Sequence, residues 1–255
     1  MTRPDDPHHT DYTGYAGLPA AVPQPVPPGE PRPLDAVESL TQGAKALCSN
    51  VLPWVLAMLI IIAVTVILTV VVVVPVVLRS STGDVQPEVV ALSPATVAAL
   101  ILVWLVTVML SMVWTLNVYR NAVRQVQGGP VTLGDFFRLR ELGVPFVAYV
   151  LMGLVTVIGL VLLVIPGLVA AVLLMFVPYL AFSRPESGLS GIFRGSVEIV
   201  RRNPGHSLLL VLFSLLLNAV GSLTVIGVLV TTPLNACMLA HAALQGSGDR
   251  LLHRP

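Results

Sequence analysis

Four stretches of this chain contain no Asp, Glu, Lys or Arg: residues 51–78, 94–119, 144–183 and 207–248. They constrain the fold more than any motif does. An α-helix rises 1.5 Å per residue, so about 20 apolar residues cross the roughly 30 Å hydrocarbon layer of a bilayer. The first two stretches are one crossing each. The apolar runs 144–182 and 207–244 are too long for single crossings. Ile165-Pro166-Gly167 divides the first into a hairpin, because proline and glycine together stop and turn a helix. In the second, Gly221-Ser222 is the expected break, with Gly227 and Thr231-Thr232-Pro233 as a competing one. The expected fold is therefore all-α, a polytopic membrane protein of six transmembrane helices arranged as three hairpins. Charged residues are 11% of the chain, against about 25% in ordinary soluble proteins.

Each hairpin is preceded by a segment that reads as a short amphipathic helix lying on the membrane surface. From Leu34, the residues Leu34, Val37, Leu40, Ala44 and Leu47 recur at helical spacing. From Leu133, the segment LGDFFRLREL places Leu133, Phe136 and Phe137 together. From Leu189, the residues Leu189, Ile192, Phe193, Val197 and Val200 form one stripe while Arg194, Glu198 and Arg201 form another. A helix of that kind rests in the headgroup plane with its apolar stripe buried. The Arg194–Glu198 pair adds about 0.3–0.5 kcal/mol. Local likenesses support a threefold unit: LNVYRNAVRQVQGG with LNACMLAHAALQGSG, and TVIGLVLLVIPGL with TVIGVLVTTPLN.

Residues 1–33 carry nine prolines and little aliphatic clustering. Such composition cannot bury enough apolar surface to offset chain entropy, so they read as a disordered cytoplasmic tail, with His8-His9 a solvated pair. Residues 34–245 form the six-helix domain and 246–255 a short second tail. The first span is expected to act as an uncleaved signal anchor. If the N-terminus faces the cytoplasm, all basic residues except Arg79 lie inside, and cytoplasmic loops carry that excess. The expected location is a bacterial plasma (inner) membrane with both termini cytoplasmic.

Function is harder to read. No phosphate-binding glycine loop, HExxH or GxSxG occurs, and Cys48 and Cys237 lack metal-ligand spacing. No catalytic, cofactor-binding or metal-binding residues are therefore expected, and no cofactor; the near-neutral net charge gives no reason to expect nucleic acid. His241 is expected at the interface of the last span. The candidate contacts for anionic headgroups or a partner are Arg138, Arg140, Arg194, Arg201 and Arg202, each adding roughly 1 kcal/mol near an anionic leaflet. Arg140, Arg194 and Arg201 are an alternative headgroup pocket. Asn117, Asn218 and Asn235 are expected to pack by hydrogen bonds between spans, worth about 0.6 kcal/mol each on average. The partners expected are the bilayer's anionic phospholipid headgroups, with a protein partner or a second copy of the chain beside them. The leading expectation is a non-enzymatic membrane scaffold or envelope-associated accessory protein. The alternative is a small-molecule or lipid carrier, flippase-like, with a water-accessible cavity at Asn117 or Asn235.

The run PGLVAAVLLMFVPYLAF, a short break, then GLSGIFRGSVEIVRRNPGHSLLLVLF resembles an uncharacterised family of bacterial six-span membrane proteins. That family is related to the membrane domain fused to some glycerophosphoryl diester phosphodiesterases. The resemblance covers roughly residues 34–245 and implies a six-helix membrane domain of largely unknown role. The arginine-rich basic complement and Pro-rich tail look actinobacterial.

Overall fold

The computed structural model describes residues 24–26, 29–81 and 94–253. The expected tail through residue 23, with Arg3 and His8-His9, the loop over 82–93, and Arg254 lie outside them. Helices run in the order α1 (Ala36–Cys48), α2 (Leu52–Ser81), α3 (Pro94–Val126), α4 (Gly143–Leu162), α5 (Val164–Leu173), α6 (Val177–Ser183), α7 (Gly188–Arg202), α8 (Pro204–Gly221) and α9 (Val225–Ser247). Six segments are long and apolar enough to cross a membrane, the fourth being α5 and α6 together, Val164–Ser183. The protein is thus a multipass α-helical membrane protein.

Helix boundaries follow local chemistry. The Asp35 carboxylate accepts from the Val37 and Glu38 amides at 2.9 and 3.1 Å and caps α1. In the last hairpin α8 stops at Gly221 and the Thr224 hydroxyl accepts from Gly227 N at 2.9 Å, opening α9. The break therefore lies at Gly221-Ser222, and Pro233 sits inside α9. The middle hairpin turns earlier than expected. Leu163 is the extended residue between α4 and α5, and Pro166-Gly167 lies in the first turn of α5. Proline is tolerated there because first-turn amides have no helical partner to lose. Gly167 serves the packing of this turn: a Cβ on it would lie 2.4 Å from Leu160 N. Pro178 opens α6 after the interruption at 174–176.

The surface element of the middle unit is not an amphipathic α-helix. Residues Leu133–Phe137 make a five-residue 3-10 turn, in which the Asp135 carboxylate folds back onto Thr132 N and Oγ1 at 2.8 and 2.7 Å. A short polar side chain bonded to its own backbone competes with helix continuation. In α1 the buried face also differs from the expected stripe. Ala36, Ser39, Gln42, Gly43, Ala46 and Leu47 are buried, while Val37 is exposed. The reason is close approach to α9, where a Cβ on Gly43 would lie 2.7 Å from Met238 N. Small residues let two helix backbones meet in a bilayer, where greasy side chains gain nothing by leaving lipid.

Part of the expected tail is structured. Gln24–Val26 pairs antiparallel with Leu251–His253, and Gly29 N and Arg32 N donate to the Gly248 and Gln245 carbonyls, both at 3.2 Å. Main-chain bonds to the end of α9 and the chain beyond it thus hold residues 24–26, 29 and 32, which composition does not reveal.

The core is concentrated at one end of the bundle, around Trp54, Leu116, Phe136, Phe176, Tyr179, Met238 and Leu244. At the other end the turn 161–165 leaves every side chain 67–80% exposed. Such an apolar surface is stable only in lipid.

Candidate functional site

The packed end of the bundle carries the arginines. It is built from α1, the segment 127–142, α7 and the end of α9, all of which flank an even number of crossings and so share one side. α7 is amphipathic as expected, but its stripe is not turned to lipid. Ile192, Ser196, Ile199 and Val200 are buried within the protein. Ile199 lies against the last turn of α9, where a Cβ on Gly246 would be 2.7 Å from its Cγ2, and Leu180 of α6 approaches Gly195. Ser196 lies where α5 gives way to α6. Its hydroxyl donates to Leu173 O at 2.8 Å and accepts from Phe176 N at 3.3 Å.

Four carboxylates organise five of the arginines. Arg120 bonds Glu141 at 3.0 Å and the Arg140 carbonyl at 2.6 Å. Arg124 and Arg138 both reach Asp135, at 3.3 and 3.2 Å. Arg184 bonds Asp249 at 2.6 Å and donates to the Ser247 carbonyl. Arg202 pairs with Glu198, so the expected Arg194–Glu198 pair does not form. An acid four residues before its base is the better-oriented arrangement on a helix. Burial pushes the Asp135 carboxyl up, but the Thr132 amide and hydroxyl, with Arg124 and Arg138, outweigh it and hold it below its ordinary value.

Arg140, Arg194 and Arg201 are left exposed without a carboxylate partner among the described residues. They occupy two separate elements: Arg140 precedes α4, while Arg194 and Arg201 lie on the outer face of α7. The groove lined by two arginines, of about 150 Å³, belongs to Arg184 and Arg202 instead.

The three asparagines take different places. Asn117 is fully buried; its amide donates to Val113 O and Arg138 O, both at 3.0 Å, and its Oδ1 accepts from Arg120. Asn235 accepts from Ser214 Oγ at 2.7 Å and joins α8 to α9. Among the described residues Asn218 donates only to Ser214 O on its own helix.

A buried polar layer under the arginines escaped the sequence reading. Gln125 donates to Ala46 O at 2.7 Å and accepts from the Trp54 indole, tying α3 to α1 and α2. His241 is buried rather than interfacial, with Nδ1 3.3 Å from Ser39 Oγ. Asn121 is fully buried, and neither amide atom finds a partner among the described residues. The four-residue spacing of Asn117, Asn121 and Gln125 puts them on one helix face, and that spacing was the available signal. Among the described residues no group of three His, Cys, Asp or Glu could hold a metal.

The chain is similar to mycobacterial proteins. "Uncharacterized protein Rv2560" of Mycobacterium tuberculosis (strain ATCC 25618 / H37Rv) is 29% identical over 244 residues, covering 89% of this chain and 75% of the relative. "Uncharacterized protein Mb2590" of Mycobacterium bovis matches to the same extent. No protein-family model matches the chain, and no solved structure matches it.

Proposed function

We propose that this protein is a non-enzymatic scaffold or accessory protein of a bacterial plasma membrane, whose arginine-bearing end faces the cytoplasm and holds anionic lipid headgroups. One observation carries the reading: at an end where Arg120, Arg124, Arg138, Arg184 and Arg202 are engaged by carboxylates, Arg140, Arg194 and Arg201 stand exposed without a carboxylate partner among the described residues. An unpaired guanidinium at a membrane surface finds its counter-charge in phosphate. The excess of arginine at this end supports the cytoplasmic orientation, and the mycobacterial relatives support a bacterial setting. Kinship with the phosphodiesterase-fused membrane domains belongs to the same proposal and adds a fold without a reaction. Against a carrier, Asn117 is buried and hydrogen-bonded, which removes one of the two residues expected to wall an aqueous path.

The test is lipid retention in nanodiscs of mixed phosphatidylglycerol and phosphatidylcholine, read by native mass spectrometry. The Arg140→Gln, Arg194→Gln, Arg201→Gln triple variant should lose anionic lipid by roughly tenfold or more, since each arginine contributes about 1 kcal/mol. Unchanged phosphatidylglycerol enrichment in the folded triple variant overturns the reading. A C-terminal reporter active only outside the cell overturns the orientation.

A further inference from the structure

Four spans line a half-open cavity of about 490 Å³ in the apolar region of the bundle, with walls from α3, α4, the α5–α6 span and α9. It falls within the usual 300–1,000 Å³ range of small-molecule sites. Asn235, on its wall, is about 18 Å by helix rise from the Ser247 end of its span. Asn235 therefore sits about midway along its span. Tyr119 and Tyr179, whose rings meet edge to face at 5.1 Å, form its floor toward the arginines. It is a different place from the headgroup-binding end.

The hydrogen-bonding inventory of the wall specifies what fits. Thr115 and Thr156 give their hydroxyl hydrogens to their own helices, to Ser111 O at 2.8 Å and Met152 O at 2.9 Å. Asn235 uses its Oδ1 on Ser214, and its Nδ2 has no acceptor among the described residues. An amide N–H pair without an acceptor in a bilayer interior costs several kcal/mol. The wall contains no Asp, Glu, Lys, Arg or His, so an ionised guest would find no counter-charge. Apart from Thr232 and the two tyrosines the remaining lining is apolar, with Trp114, Met152 and Met175 contributed by three different spans. Gly153 faces open space, since a Cβ there meets nothing within 4 Å. The lack of a side chain at that position leaves room in the chamber.

We infer that this cavity binds a neutral, lipid-like molecule whose carbonyl oxygen accepts from Asn235 Nδ2 while its apolar part fills the space beside Gly153. The apolar walls recognise the chain or ring, and the asparagine selects for the carbonyl.

The probe is a diazirine-bearing diacylglycerol, cross-linked in nanodiscs and mapped by peptide mass spectrometry. Saturable labelling at Met152 and Met175 is expected, competed by unlabelled diacylglycerol and not by a hydrocarbon of equal chain length. Gly153→Leu fills the space and should cut that labelling roughly tenfold while the unfolding temperature holds. Asn235→Leu should lower the diacylglycerol signal several-fold, the size of one lost hydrogen bond. Because it also breaks the Ser214 contact, Gly153→Leu carries the test if Asn235→Leu misfolds. Non-saturable labelling, equal at Met152 and at the outward-facing Ile67, means annular lipid alone and overturns the inference. So does reaction of Asn235→Cys with a membrane-impermeant maleimide, which would make the cavity an aqueous path.

Discussion

The Ser196 hydroxyl on α7 donates to the Leu173 carbonyl at 2.8 Å and, through the same oxygen, receives the Phe176 amide at 3.3 Å. One side chain of the charged connector thereby satisfies both sides of the break in the fourth span. Within a bilayer, backbone groups freed by a helix break must find such partners. The apolar stripe of α7 is interrupted by serine at the place where the neighbouring helix is interrupted.

Ser196→Ala should consequently destabilise the protein by about 2 kcal/mol, the cost of leaving buried backbone groups unmade. Ser207 is equally buried but its hydroxyl has no partner among the described residues, so Ser207→Ala should change stability by less than about 0.5 kcal/mol. Thermal unfolding of detergent-solubilised protein, followed by tryptophan fluorescence, compares the two. Equal losses would sink the assigned role of Ser196.

Two glycine substitutions should act in opposite directions. Gly43→Ala drives a methyl group into the backbone of Met238 and Cys237, and overpacking of this kind costs about 1–3 kcal/mol. Gly153→Ala meets no neighbour and gains up to about 1 kcal/mol of helix propensity. The same unfolding assay reads both; a neutral Gly43→Ala would mean that α1 and α9 separate freely.

Arg184 and Asp249 fasten the end of the fourth span to the chain leaving the sixth. Their side chains are 40% and 15% exposed, so solvent screening limits the pair. Arg184→Gln should cost about 1–2 kcal/mol, including its bond to the Ser247 carbonyl. A double-mutant cycle with Asp249→Asn should return a coupling of about 1 kcal/mol. Additive single effects would show that the contact contributes nothing of its own.

Asp135 predicts the acid limb of stability. Its folded-state carboxyl titrates below its ordinary value of 3.8. A depressed carboxyl contributes stability that is fully present above the unfolded-state value and lost as pH falls through the folded one. Stability from this group should therefore be flat at neutral pH and decline only below about pH 4. Asp135→Asn should remove that part of the decline while lowering stability at pH 7. A variant with the wild-type acid profile, measured by unfolding between pH 3 and 7, would exclude Asp135 as its source.

Much of the architecture was legible because transfer of side chains into hydrocarbon is a local, nearly additive property of a segment. Charge-free runs marked the spans, and Gly221-Ser222 marked the last turn. The middle turn moved to Leu163 because Pro166 and Gly167 are acceptable in a helix's first turn. Their pairing signals a break only when the neighbouring helix is not there to pack against. Arginine positions could be read from the sequence, but their distant partners could not: Arg184 meets Asp249 and Arg120 meets Glu141 only because the fold brings separate segments together.

The sequence by itself determined that this chain enters a membrane, where it crosses and which end gathers positive charge, since these depend on residue type and order along one dimension. Tertiary structure alone decided which helix faces meet. Lipid is as apolar as leucine, so hydrophobicity cannot tell a buried face from a lipid-facing one. Close approach at Gly43 and Gly167, hydrogen bonding by Ser196 and Gln125, and the space left beside Gly153 make that choice. They depend on which atoms from distant segments come within a few ångströms of one another.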